Sequence, residues 1–73
     1  MIKNNLGRRI RMLRKSAGYT REQLAEWSDY SVDFIGLVER GINAPSIEGC
    51  QKIADCLGVS MSELFDFSDI DAG

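Results

Sequence analysis

The chain is cut into short helices by its own punctuation. Hydroxyl residues suited to the N-cap position stand at Thr20, Ser31, Ser46 and Ser60, and glycines able to close a helix stand at Gly18, Gly41 and Gly58. Between these marks the apolar residues recur every three or four positions and never alternate, so helices are expected and strands are not. In "NLGRRIRMLRKSAG" the inner stripe is Leu6, Ile10, Leu13 and Ala17, ended by Gly18. "TREQLAEWS" opens with Thr20 and has Gln23 three residues on, a capping box, with Leu24 and Ala25 facing inward. The turn "SDY" leads to Ser31 and a helix carrying Phe34, Ile35 and Val38, stopped by Gly41. After "INAP", Ser46 caps a helix whose Ile47, Cys50, Ile53, Ala54 and Leu57 are expected in the core, with Gly58 as terminator. "SMSELF" closes the series with a second capping box, Ser60 and Glu63, and with Leu64 and Phe65 as anchors. The expected fold is all-α, a compact bundle of five short helices. Residues 1–73 form one domain with its core at 5–66, followed by an acidic tail at 67–73.

Size and residue types narrow the function classes. A chain of 73 residues buries only about 60% of the surface its unfolded form exposes, too little for an elaborate catalytic cleft. There is no histidine, no nucleophile has a base beside it, and Cys50 and Cys56 lie six apart, which matches no common zinc spacing. No enzyme, no metal and no cofactor are therefore expected, and the cysteines read as reduced thiols filling gaps in a core. The first 18 residues lack the apolar run of a signal peptide and no stretch approaches a membrane span, so the expected location is cytoplasmic.

Charge is unevenly placed. Residues 1–21 carry seven cations (Lys3, Arg8, Arg9, Arg11, Arg14, Lys15 and Arg21) and no acid, whereas residues 22–73 set Arg40 and Lys52 against eleven acids. Two readings follow: a basic face for a polyanionic partner, or a basic helix neutralised internally by acidic neighbours. Arg8, Arg11 and Lys15 share the outer face of the first helix. The segments Thr20–Ser28 and Ser31–Arg40, joined through the turn Ser28–Asp29–Tyr30, have the dimensions of a helix-turn-helix spanning 20–40.

At this point the motifs "LGRRIRMLR", "TREQLAE", "S..FI...ERG", "PSIE" and "IADCLGVSMSELF" follow one another in a familiar order and spacing. Across residues 5–66 the chain resembles the XRE-type helix-turn-helix domains of phage repressors, Cro and many small bacterial regulators. The resemblance implies a lambda-repressor-like domain in which the helix from Ser31 enters the major groove of double-stranded DNA. A homodimer would read two half-sites about 34–36 Å apart. It implies a buried structural ion pair between Arg14 and Glu39, and a phosphate contact at the residue after the second helix's N-cap, here Arg21 where glutamine is usual. Base-facing positions map to Ser31, Val32, Asp33 and Leu37, with Gly36 beside them, and the last helix is a common dimer contact.

Several positions depart from that pattern. Related domains often carry Gln, Arg, Asn or Lys where this chain has Ser31, Val32, Asp33 and Leu37; Ile42 stands where lysine is frequent, and Asp29 replaces the turn glycine. Phosphate contacts supply most of the affinity and base contacts the sequence choice, so binding is expected through Arg8, Arg11, Arg21, Arg40 and Asn43. Val32 would meet a thymine methyl. Asp33 would accept from a cytosine amino group, or else serve only the dipole at its helix N-terminus. Trp27 is either a ring laid over a neighbouring helix or part of a partner surface. With Leu64 and Phe65 assigned to the core, Met61, Phe67 and Ile70 are left as a dimerisation surface, against the competing view of a frayed tail rich in Asp66, Asp69 and Asp71. The expected function is a sequence-specific DNA-binding transcriptional repressor; the alternative is a protein-interaction module, antitoxin-like or anti-repressor, that keeps the fold without strong base readout.

Overall fold

The computed structural model describes residues 2–70, and the last residues of the expected acidic tail, 71–73 with Asp71 among them, lie outside the described residues. Five helices follow in order: α1 (Ile2–Ala17), α2 (Arg21–Ser28), α3 (Val32–Glu39), α4 (Ile47–Leu57) and α5 (Met61–Leu64). No strand occurs among the described residues, and none of their helices is long and apolar enough to cross a membrane.

The four hydroxyl residues act as the caps that their positions imply. Thr20 Oγ1 accepts from Gln23 N at 3.0 Å while Gln23 Oε1 accepts from Thr20 N at 2.9 Å, and Ser60 with Glu63 forms the same reciprocal box. Ser31 and Ser46 each accept a 3.0 Å bond from the backbone three residues on. Each cap satisfies a helical N–H that has no partner within its own helix. Asp29 takes the left-handed turn position at φ 65° and donates its N–H to Ala25 O. An aspartate tolerates that region better than most residues with a side chain. The turn glycine is therefore dispensable here.

Helix α1 packs on α3, α2 sits between α3 and α4, and α5 closes the lower end against α1 and α4. The core draws Leu6 and Ile10 from α1, Leu24 and Ala25 from α2, and Ile35 and Val38 from α3. Cys50, Ile53, Ala54 and Leu57 from α4 and Leu64 from α5 complete it. Burial raises the pKa of the Cys50 thiol, which stays protonated and apolar in its gap. Ser28 is the buried polar exception, and its hydroxyl donates to Leu24 O at 2.7 Å. Every buried side-chain nitrogen and oxygen among the described residues has a hydrogen-bond partner.

Three expected core positions fall outside it. Ile47 is 82% exposed: its angle on α4 matches Cys50 and Ala54, but it is the first helical residue and lies beyond the packed layer. Ala17 overhangs in the last turn of α1. Phe65 is 40% exposed: it is the C-cap of the single-turn α5, one residue past Leu64, the last that the core takes in. The apolar cover expected of Phe65 comes instead from Met61 and Phe67, both partly buried against the core. Phe67 is thus not surplus surface, and its ring lies 6.1 Å from that of Phe65. Trp27 packs edge-on against Tyr19, with ring centroids 4.9 Å apart, and keeps half its surface in solvent.

Candidate nucleic-acid interface

The helix-turn-helix pair is set by two locks. Tyr30, at the turn, stacks on Phe34 at 4.6 Å and lays its hydroxyl against Gly49 of α4, where any Cβ would collide with it. At the other end, Arg14 of α1 grips the end of α3. Its Nε donates to Glu39 Oε2 at 2.7 Å, Nη2 to Oε1 at 3.1 Å and Nη1 to the Tyr19 carbonyl at 2.8 Å. Both charged side chains are less than a tenth exposed. The bidentate geometry gives the pair its strength, and the third bond ties it to the α1–α2 connection.

On the outer half of α3, Val32 is 39% exposed, Asp33 is exposed and Leu37 is half-buried. Ser31 spends a lone pair on its cap but keeps its hydroxyl proton for a partner. Arg40 folds back, its Nε donating to Gly36 O at 3.3 Å. Asn43 is exposed, beyond the end of α3, with its backbone N–H directed at Leu37 O.

Between α1, α2 and α3 lies a depression of about 410 Å³ walled by Arg11, Lys15, Arg21 and Arg40, with Gly36 and the Arg14–Glu39 pair also lining it. Among the described residues, the only carboxylate lining it, Glu39, is engaged by Arg14. Apart from that pair, the single ion pair among the described residues is an exposed contact between Lys52 and Asp29, 4.0 Å apart, remote from this groove. Among the described residues, close ion pairing of the basic third is therefore confined to Arg14, while Arg9 stands near Glu63 and Asp66. Four cations around one concavity, none in an ion pair among the described residues, concentrate positive potential there.

The structure brings Arg11, Arg21 and Arg40 to one groove, and with them Lys15, one turn after Arg11 on the outer face of α1. Arg8 is exposed on α1 but does not line the groove, and Asn43 likewise stands apart from it. Arg9 turns the other way, donating to Glu63 O at 2.9 Å and so holding α5 to α1. Two further residues carry no local signal. A Cβ at Gly7 would run into the backbone carbonyls of Val38 and Glu39, and one at Gly41 would meet Asn4. These close approaches seat α1 on the end of α3. Only the i, i+4 spacing of Arg11 and Lys15 was available to mark a shared cationic face.

This geometry has known counterparts. A helix-turn-helix family model, HTH_3, matches residues 10–64. The chain is 47% identical over 58 residues to YazB of Bacillus subtilis, an uncharacterized HTH-type transcriptional regulator, covering 80% of this chain and 84% of that protein. It is 40% identical over 62 residues to the HTH-type transcriptional regulator SlrR of the same species, covering 84% of this chain but 41% of SlrR. Among solved structures, the restriction-modification controller protein C.AhdI from Aeromonas hydrophila superposes with a TM-score of 0.82 at 35% identity, covering 85% of this chain and 94% of that one. The clp gene regulator ClgR from Corynebacterium glutamicum superposes at 0.89 with 26% identity, covering 100% and 95%. The two caps, the left-handed turn, the Arg14–Glu39 clip and these likenesses agree, and the chain belongs to the helix-turn-helix family of transcriptional regulators.

Proposed function

We propose that the chain binds double-stranded DNA sequence-specifically and represses transcription, with residues 5–66 as the binding unit and α3 in the major groove. The observation that carries this reading is the groove of four cations, Arg11, Lys15, Arg21 and Arg40, flanking the outer face of α3. A phosphate backbone is the partner that such a groove fits, since each neutralised phosphate releases counterions and adds affinity. Arg8 and Asn43 extend the grip at either end. Val32, Asp33 and Leu37 supply few base contacts: a thymine methyl against Val32, a cytosine amino group to Asp33. The role needs no catalysis and no cofactor, and it places the protein in the cytoplasm with the genome.

Salt dependence tests the reading. The four groove cations alone, each on one phosphate, give log affinity against log salt a slope of about −3.6 per chain, a loss of roughly 150-fold between 50 and 200 mM, and Arg8 steepens it further. Replacing Arg11 and Lys15 together by alanine flattens the slope by about two units while the fold, followed by circular dichroism, is kept. Absence of duplex binding by the unaltered chain at 50 mM salt would replace this function with that of a protein-interaction module.

The active form is a homodimer joined through the C-terminal segment. Of the residues expected there, Met61 and Phe67 are partly spent on the core, so Ile70 and the more open ring of Phe65 are the proposed contacts. Phe65→Asp should shift sedimentation of a concentrated sample toward the monomer; identical profiles for the two proteins would dismiss the C-terminal contact.

A further inference from the structure

We infer that Arg21, carried on α2, reads a guanine across Gly36 of the recognition helix and is a specificity-determining residue, not only a phosphate clamp. The inference rests on the DNA-binding function proposed above. Its starting point is a deficit: Val32, Asp33 and Leu37 offer no paired donors, and Arg40, the long donor that caps the far end of α3, has turned its Nε to Gly36 O. Guanine presents two adjacent acceptors, O6 and N7, and the side chain that matches them best is a planar guanidinium.

Gly36 belongs to the outward half of α3, one turn after Val32 and Asp33, so those residues are its surface neighbours. It has no side chain, yet it is buried. Part of what covers it is Arg21, whose Nη1 lies 3.7 Å from the point a Cβ on Gly36 would occupy. The guanidinium therefore lies along the face of α3 that enters the groove, not away from it beyond the N-terminus of α2. No hydrogen bond or ion pair holds Arg21 among the described residues, which leaves its donors free for a ligand. The missing side chain at 36 and the unusual arginine at 21 are two halves of one device: the glycine opens the space, and the neighbouring helix supplies the reader. With Asp33 accepting from a cytosine beside it, the pair favours G·C over A·T at adjoining positions.

Selection of bound duplexes from a randomised pool, run in parallel with wild type, Arg21→Ala and Gly36→Gln, tests this. Wild type should select guanine at one position of the site. Arg21→Ala should lose roughly 5- to 150-fold of preference there while preferences at the remaining positions persist. Gly36→Gln, whose amide takes the place of the guanidinium, should change the preferred base at that same position. Should Arg21→Ala weaken every sequence alike and select the wild-type sites, Arg21 contacts phosphate alone and the inference is wrong. Wild type that binds no duplex at low salt overturns the DNA-binding function and this inference with it, a result distinct from an unchanged selection.

Discussion

Glu39→Ala is expected to lose about 3–5 kcal/mol of stability, because it strands the Arg14 guanidinium in a site where both partners are less than a tenth exposed. A domain of 73 residues holds roughly 4–11 kcal/mol in total, so the variant is expected to be largely unfolded or close to it. In a thermal melt the midpoint should fall by about 12 °C or more. The loss comes from leaving one charge uncompensated and does not measure the net worth of the pair. Replacing both partners by apolar residues of similar volume, Arg14→Met with Glu39→Leu, should therefore recover much of the stability. Recovery will be incomplete, since the Tyr19 carbonyl also loses its 2.8 Å donor. A Glu39→Ala midpoint within a few degrees of wild type would mean that the clip contributes little. The consequence for function is direct: the clip fixes the end of α3 beneath the cationic groove, so the double variant should fold and yet bind DNA less selectively.

The capping boxes and the serine caps were legible because each is a local arrangement spanning three or four residues, whereas the left-handed position of Asp29 was implied only by the resemblance. The same holds for most of the core, where helical spacing identifies Ile10, Leu24, Ile35, Ile53 and Leu64, all fully buried. Legibility ends where the answer depends on what lies opposite. Periodicity gives Ile47 the right angle but not the knowledge that its neighbours stop short of it, and it cannot choose between the adjacent Leu64 and Phe65 without the length of α5. Charge counting marked a basic third, but which cations are spent emerges only in three dimensions: Arg14 on Glu39, Arg9 on the Glu63 carbonyl, the rest open. The position of Arg21 over Gly36 is of this second kind, since it requires the α2–α3 angle that the Tyr30–Phe34–Gly49 lock sets.

Two glycines inside helices allow the role of such tertiary contacts to be measured by one substitution with opposite signs. In an exposed helix interior, Gly→Ala stabilises by about 1 kcal/mol through backbone entropy and helix propensity. Gly36→Ala should approach that gain, because the added methyl meets only the flexible tip of Arg21 at an ordinary 3.7 Å. Gly7→Ala adds the same intrinsic gain, but its methyl runs into the carbonyls of Val38 and Glu39, with the Glu39 carbonyl carbon only 3.1 Å away. Backbone cannot swing aside as a side-chain tip does, so α1 must move off the end of α3. Overpacking of this kind costs about 1–3 kcal/mol, which outweighs the propensity gain and loosens the Arg14–Glu39 clip that the same approach supports. Urea midpoints measured side by side should thus rise for Gly36→Ala and fall for Gly7→Ala. If Gly7→Ala also raised the midpoint, α1 would not be seated on the α3 carbonyls as closely as the structure has it, and the cationic groove that depends on this seating would lose its defined shape.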